Sequence, residues 1–248
     1  MITAYHRPQT ISDALELLTK PNTLPLGGGT LLSLLKTASV EVVDLQSLGL
    51  NSIQRKGNNL VIGATTTLQD LLENENTPEA LKSTLKLEAP LNIRNAATVV
   101  GTLITADGRS TFATAILGLD AKLNIQPNDE ELEIGNLFPL RNEKLHGKLI
   151  TAITIPINAN LTFEFVARTP ADTPIVCVAL ASWPSGRTRL ALGGYGIVPL
   201  LAMDGTEAEG FQEAARNSFH EATDEWASAE YRMDIAATLA KRCMDRIA

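Results

Sequence analysis

Three consecutive glycines, Gly27-Gly28-Gly29, constrain this chain more than any other feature. They follow Leu24-Pro25-Leu26, a short strand candidate, and precede Thr30 and a helical pattern at Leu31, Leu32, Leu34 and Leu35. Glycine reaches backbone angles closed to other residues and lets a ligand come close to the main chain. A helix start adds free N–H groups and the positive end of the helix dipole. A strand–glycine–helix junction of this kind suits a phosphate or pyrophosphate. No Lys-Ser/Thr pair directly follows the last glycine, so it is not a nucleoside-triphosphate loop. The Gly-x-Gly-x-x-Gly dinucleotide spacing is absent as well. The same residues also make an ordinary tight turn, and this segment alone leaves both readings open.

The surroundings are mixed α and β. Thr10-Ile11-Ser12-Asp13 resembles a capping box, and Ile11, Ala14, Leu15 and Leu18 follow at helical spacing. Val42-Val43-Asp44-Leu45 reads as a strand, so the first 50 residues predict strand–helix–strand–helix–strand with a parallel pair. Residues 52–55 and 60–64 flank Gly57-Asn58-Asn59 as a hairpin. Thr67 caps a helix through Leu68, Leu71 and Leu72, and 76–87 reads as another. A small-residue stretch, 95–110, precedes a helix at 112–117. Strands follow at 122–125 and 150–155, the second closed by Pro156, which has no N–H for a ladder. The acidic run Asp129-Glu130-Glu131-Leu132-Glu133 reads as a solvated loop edge. From Asn158 the chain predicts strands at 162–166, 175–181 and 187–194, then helices at 207–219 and 231–247. The expectation is an α+β chain of three lobes, 1–50, 51–157 and 158–248, the last a three-stranded sheet with helices.

Composition excludes several functions. A net charge of -7, with Lys and Arg scattered, argues against nucleic acid or anionic membrane as partner. No apolar stretch approaches the roughly 20 residues of a membrane span. The N-terminus lacks the pattern of a signal peptide, so the cytoplasm is the expected location. Cys177 and Cys243 make no metal motif, and Cys177 reads as a buried apolar residue. His6, His146 and His220 read as solvated turn or helix residues, and Trp183 and Trp226 as packing residues.

The second ligand candidate is the stretch from Ile93 to Leu103, which contains Arg94-Asn95-Ala96-Ala97-Thr98-Val99-Val100-Gly101-Thr102. As a loop of small residues and hydroxyls it offers N–H and O–H donors to an anion, or simply fills a buried corner. Together, and in this order, the two segments resemble the flavin-binding (medium) subunit family of molybdopterin dehydrogenases. That family includes the medium subunit of aerobic carbon monoxide dehydrogenase and the flavin domain of xanthine dehydrogenase. Its members look like Ala-Gly-Gly-Thr-Asp-Leu at the first loop and Ile-Arg-Asn-x-Ala-Thr-Ile-Gly-Gly-Asn at the second. Val42-Val43-Asp44-Leu45, Ile62-Gly63-Ala64-Thr65-Thr66, Leu119-Asp120-Ala121, Ile153-Thr154-Ile155-Pro156, Leu192-Gly193-Gly194 and Ser228-Ala229-Glu230-Tyr231-Arg232 are similar to further signatures. The resemblance covers nearly the whole chain.

It implies a two-lobed FAD-binding domain of the vanillyl-alcohol-oxidase type plus a small C-terminal lobe. FAD would contact Leu26, Gly27, Gly28, Gly29, Thr30, Leu31, Thr98, Val99, Val100, Gly101, Thr102, Asp107, Thr111 and Ile153. A large subunit would carry molybdopterin and a small subunit two [2Fe-2S] clusters. The flavin would pass their electrons to NAD, a quinone or oxygen. The redox chemistry would be the cofactor's own, with no acid, base, nucleophile or metal ligand on this chain.

Besides Gly27, which stands where the family usually has alanine, five positions depart from the pattern. Leu31 replaces a polar residue. Val100 stands where the first glycine of Gly-Gly-Asn belongs, and at a positive-φ position a valine would add strain on the order of 1–3 kcal/mol. Thr102 replaces the asparagine. Thr111 stands where a flavin-contacting aspartate is expected, and Val166 where some members have lysine. Two alternatives follow: a scaffold subunit with weak or no FAD binding, and a free-standing flavin oxidoreductase.

Overall fold

The computed structural model describes residues 1–32, 39–170, 172–206 and 209–247. The expected helical positions Leu34 and Leu35, and the start of the helix expected at 207, lie outside them. Two compact units emerge, each from separate stretches of chain: 1–75, 90–104 and 122–154 form one, and 76–89, 105–121 and 155–248 the other.

The first unit begins with the expected βαβ pattern. Strand β1 (Ile2–His6), helix α1 (Ile11–Leu18), strand β2 (Thr23–Leu26) and strand β3 (Val40–Asp44) make a parallel sheet of order β1-β3-β2. The Thr10 hydroxyl accepts from the Asp13 amide at 3.1 Å and starts α1. Ala14 and Leu18 then pack on Val43 and Leu45. His6 is on β1 and bonds Glu41 at 2.9 Å, so it is a strand residue and not the turn residue expected.

A five-stranded sheet follows, of order β4-β5-β8-β6-β7. The hairpin β4 (Ile53–Lys56) and β5 (Asn59–Gly63) turns at Gly57, whose φ is +60°. Thr67 and Asp70 form a capping box that starts α2 (Leu68–Glu73). Helices α3 (Glu79–Glu88), α4 (Leu91–Arg94), α5 (Val99–Thr105) and α6 (Thr111–Gly118) come next along the chain, α3 and α6 belonging to the second unit. Strand β6 (Lys122–Gln126) pairs with β7 (Glu130–Glu133). The acidic run is thus an edge strand, not a loop. Lys122 and Lys148 bind Glu131 and Glu130 at 2.6 and 2.7 Å, which neutralises two of its carboxylates. Two short helices, α7 (Ile134–Leu137) and α8 (Arg141–Lys144), lead to β8 (Leu149–Pro156), which pairs with β6.

The second unit has its own sheet. Strands β9 (Asn160–Val166), β10 (Val176–Ser182), β11 (Thr188–Gly193) and β12 (Leu200–Gly205) are antiparallel in the order β12-β11-β10-β9. The sheet has four strands rather than the expected three. β12 is an edge strand ending Met203-Asp204-Gly205, and its sequence lacks a clean apolar alternation. Helices α9 (Phe211–Asn217) and α10 (Ala229–Asp245) follow it.

The side-chain sizes on β10 explain how helices cover both faces. Val176, Val178 and Leu180 join Leu190 and Leu192 in a core with Phe219, Ala236, Leu239 and Ala240. The alternate residues, Cys177, Ala179 and Ala181, are small. On that face α6 comes close: a Cβ at Gly118 would lie 3.3 Å from Ala179 Cβ, and one at Gly193 only 2.3 Å from Thr114 Oγ1. Every residue of α6 is buried. Cys177 and Cys243 are fully buried, and burial pushes both thiols up to about 12. Trp226 packs between the guanidinium groups of Arg109 and Arg168, 4.4 and 4.1 Å from its centroid.

Candidate functional site

The two sequence-predicted segments meet in the first unit. β2 ends at Leu26 and the chain leaves the sheet through Gly27, Gly28 and Gly29. A Cβ at Gly28 would sit 1.6 Å from the Ala96 carbonyl oxygen, and one at Gly27 would sit 2.7 Å from Thr98 Oγ1. Only hydrogen fits at either position. Gly29 has φ +71°, in the region that glycine adopts without penalty. Among the described residues, the amides of Gly28 and Gly29 donate to no protein acceptor. Successive free amides in a glycine loop make an anion-binding concavity. Leu26 and Thr30 are half-buried and Leu31 is 44% exposed.

The second segment departs from expectation. Thr98–Thr102 is not a loop, because Val99–Thr105 is α5. The Thr98 hydroxyl accepts from the Gly101 amide at 3.2 Å, in the manner of a helix cap. The Val99 amide bonds the Thr66 carbonyl at 2.8 Å, and the Leu68 amide bonds the Ala97 carbonyl at 2.9 Å. Thr98 is therefore pinned from both sides, with its hydroxyl against both Gly27 and Gly101. Val100 has helical backbone and is not among the residues with positive φ. The strain expected of a valine at a left-handed position does not arise. Thr102 is half-buried, and its amide bonds the Thr98 carbonyl at 2.9 Å. Ile153 is fully buried on β8, opposite Leu123.

Two buried hydroxyls beside this junction, on Thr65 and Thr66, have no hydrogen-bond partner among the described residues. The region thus combines free amides, a glycine surface without side chains and polar atoms in surplus. That set fits the pyrophosphate of a dinucleotide. Among the described residues, no group of three or more His, Cys, Asp or Glu is placed to hold a metal ion.

Asp107 and Thr111 belong to the second unit. The Asp107 carboxylate accepts from the Arg109 amide at 2.8 Å and shapes the turn before α6. Gly108 donates to Gly196 O at 3.0 Å and accepts from the Gly194 amide at 2.7 Å. A Cβ on Gly108 would strike the Tyr195 carbonyl at 1.9 Å. Thr111 is 1% exposed, and its hydroxyl donates to Thr84 O at 2.8 Å and lies 3.1 Å from Glu88 Oε2.

Glu88 was not singled out in the sequence. Its carboxylate also accepts from Ser110 Oγ, at 2.9 and 3.0 Å, and from the Phe112 amide at 2.9 Å, at the N-terminus of α6. Burial pushes its carboxyl above the ordinary glutamate range of about 4.5, against the pull of the Phe112 amide and the Ser110 and Thr111 hydroxyls. The fold then holds the proton more tightly than the unfolded chain does. This contribution to stability is complete below the unfolded value and lost as pH rises through the raised one. Thermal melts of Glu88→Gln and the parent chain should therefore converge in acid, with the variant gaining on the parent toward neutral pH. A variant that loses ground as pH rises would contradict this.

A glycine-rich strand end clasped by a capped helix start, within a small parallel sheet beside a five-stranded one, defines a nucleotide-cofactor domain. Residues 1–158 match the family described as FAD binding domain in molybdopterin dehydrogenase, and the chain belongs to that family. The carbon monoxide dehydrogenase medium chain of Afipia carboxidovorans is 27% identical, covering 98% of this chain and 95% of that protein. The fold superposes on reconstituted CO dehydrogenase from Oligotropha carboxidovorans with a TM-score of 0.82 and 26% identity, over 98% of this chain and 96% of that one. It also superposes on quinoline 2-oxidoreductase from Pseudomonas putida 86 with a TM-score of 0.81, over 98% and 95%. Identity there is 20%, so that likeness concerns the fold alone. No helix among the described residues is long and apolar enough to cross a membrane.

Proposed function

We propose that this chain is a cytoplasmic FAD-binding electron-transfer subunit of a molybdenum hydroxylase. It would work beside a large molybdopterin subunit and a small [2Fe-2S] subunit, and would deliver electrons to NAD, a quinone or oxygen. The observation that carries the proposal is the clasp of Gly27 and Gly28 on Ala96 and Thr98. Bound FAD would supply the electron chemistry. The chain's part is to bind and orient. The Gly28 and Gly29 amides would receive an anion, Thr30 and Leu31 would border it, and Thr98 with the start of α5, Val99, Val100, Gly101 and Thr102, would complete the cradle. We also take 1–50, 51–157 and 158–248 as the three lobes, each containing one sheet.

A second reading, a scaffold subunit with weak cofactor binding, draws on one observation. The Thr111 hydroxyl is already committed to Thr84 and Glu88, and so offers a ligand no free side-chain donor.

The visible absorption spectrum of the purified chain, taken before and after excess FAD and desalting, tests the first reading. A flavin band should survive desalting, and denaturation should release FAD. If none is retained, either alone or with the two partner subunits present, the scaffold reading replaces it.

A further inference from the structure

The glycine loop has no side chains with which to hold its own shape. Thr98 and Ala96 press on it from one side. On the other side it leaves a parallel ladder, whose end is marked by the Leu45 amide donating to Leu26 O at 3.0 Å. Among the described residues, the next carbonyl along, Gly27 O, has no strand partner. The Gln46 side chain takes that role, with Nε2 donating to Gly27 O at 3.0 Å. Gln46 is in turn fixed where it starts. Its backbone amide donates to Asp44 Oδ1 at 3.0 Å. Asp44 is only 5% exposed, and its other oxygen accepts from the Tyr5 hydroxyl and faces Arg7 Nε at 3.6 Å. A buried carboxylate so held does not wander.

We propose that Gln46 is a positioning residue that extends the β2–β3 ladder by one side-chain bond and so keeps the glycine loop in its anion-receiving shape. Pulling the Gly27 carbonyl toward Gln46 fixes the peptide plane shared by Gly27 and Gly28, and so the direction in which the Gly28 amide points. The inference rests on the FAD reading for its ligand, but its geometric content belongs to the loop itself.

Three variants of the full chain test it: Gln46→Ala, Gln46→Glu and Gln46→Lys. Gln46 is exposed, so the unfolding midpoint should move by no more than about 2 °C in each. FAD affinity, measured by fluorescence titration, should fall about two- to tenfold in Gln46→Ala, the worth of one hydrogen bond. It should fall further in Gln46→Glu, whose carboxylate repels both the Gly27 carbonyl and the ligand. It should recover in Gln46→Lys, which keeps a donor. Hydrogen–deuterium exchange over residues 24–32, without added flavin, supplies the readout that does not need the cofactor. Exchange should quicken in Gln46→Ala and not in Gln46→Lys. If that pattern holds while the parent chain takes up no FAD, the positioning role stands and the cofactor reading falls. If exchange and affinity are the same in all variants, or Gln46→Lys fails as badly as Gln46→Ala, the positioning role is overturned.

Discussion

Gly28→Ala is expected to reduce FAD affinity by about ten- to a hundredfold, the equivalent of about 1–3 kcal/mol of overpacking. The added methyl would sit 1.6 Å from the Ala96 carbonyl oxygen, and neither group can move alone. Gly28 belongs to a glycine run that continues β2, while Ala96 precedes a helix pinned by the bonds from Val99 to Thr66 and from Leu68 to Ala97. The clasp must open for the methyl to fit. A free amide that moves out of line with an anion loses most of its value, since hydrogen bonds weaken steeply with angle. Gly205→Ala is the natural control, because a Cβ there meets nothing within 4 Å. Isothermal titration with FAD and a thermal melt on both variants decide the matter. Equal affinities in the two would mean that the clasp is not where the cofactor binds.

Arg232→Ala is expected to destabilise the second unit by about 3–5 kcal/mol, as seen when one partner of a buried charge pair is deleted. Arg232 is completely buried on α10. Its Nη1 donates to Ala222 O and Ala227 O at 2.6 and 2.8 Å, its Nε to Ile175 O at 3.3 Å, and its Nη2 to Asp224 Oδ1 at 2.7 Å. Burial alone would push the Asp224 carboxyl up. The guanidinium and the Trp226 and Ala227 amides hold it below its ordinary range instead. Truncation would take the guanidinium donor away from three carbonyls and a carboxylate. Arg232→Lys should recover only part of the loss, since a single ammonium cannot reproduce the fork. Chemical denaturation followed by far-ultraviolet circular dichroism measures both. A loss below about 1 kcal/mol for the alanine variant would show that water replaces the guanidinium without penalty.

What the sequence disclosed depended on the kind of signal. Local chemistry was readable. The Thr10 and Thr67 caps, the Gly57 hairpin, the parallel ladder ending in the glycine run and the strands at the start of the C-terminal sheet all follow from turn, cap and alternation rules. Helix α5 was not readable. Its first residues, Val99-Val100-Gly101-Thr102, are β-branched or glycine and have poor helix propensity. They are helical because Thr98 caps them and tertiary bonds hold the residues before them. Strand β7 was hidden by its glutamates, whose partners Lys122 and Lys148 are distant in sequence or on another strand. The ligand loops were visible through glycines and order. Glu88 and Gln46 were not, since a lone glutamate in a helix and a glutamine after a strand carry no pattern. Arg232 stands in a stretch similar to a family signature, but its full burial is a property of the carbonyls that converge on it.

Helix α6 has no surface. An element with nothing facing water has almost no conformational latitude left to lose. The turn on its N-terminal side, Asp107 to Ser110, is tied to that immobile body by Glu88 and to Gly194 and Gly196 by Gly108. Whatever meets this turn meets a surface whose ordering entropy was lost when the chain folded. A ligand or partner that docked on this turn would meet a fixed shape and would lose little further conformational entropy there, which is how pre-organisation strengthens binding.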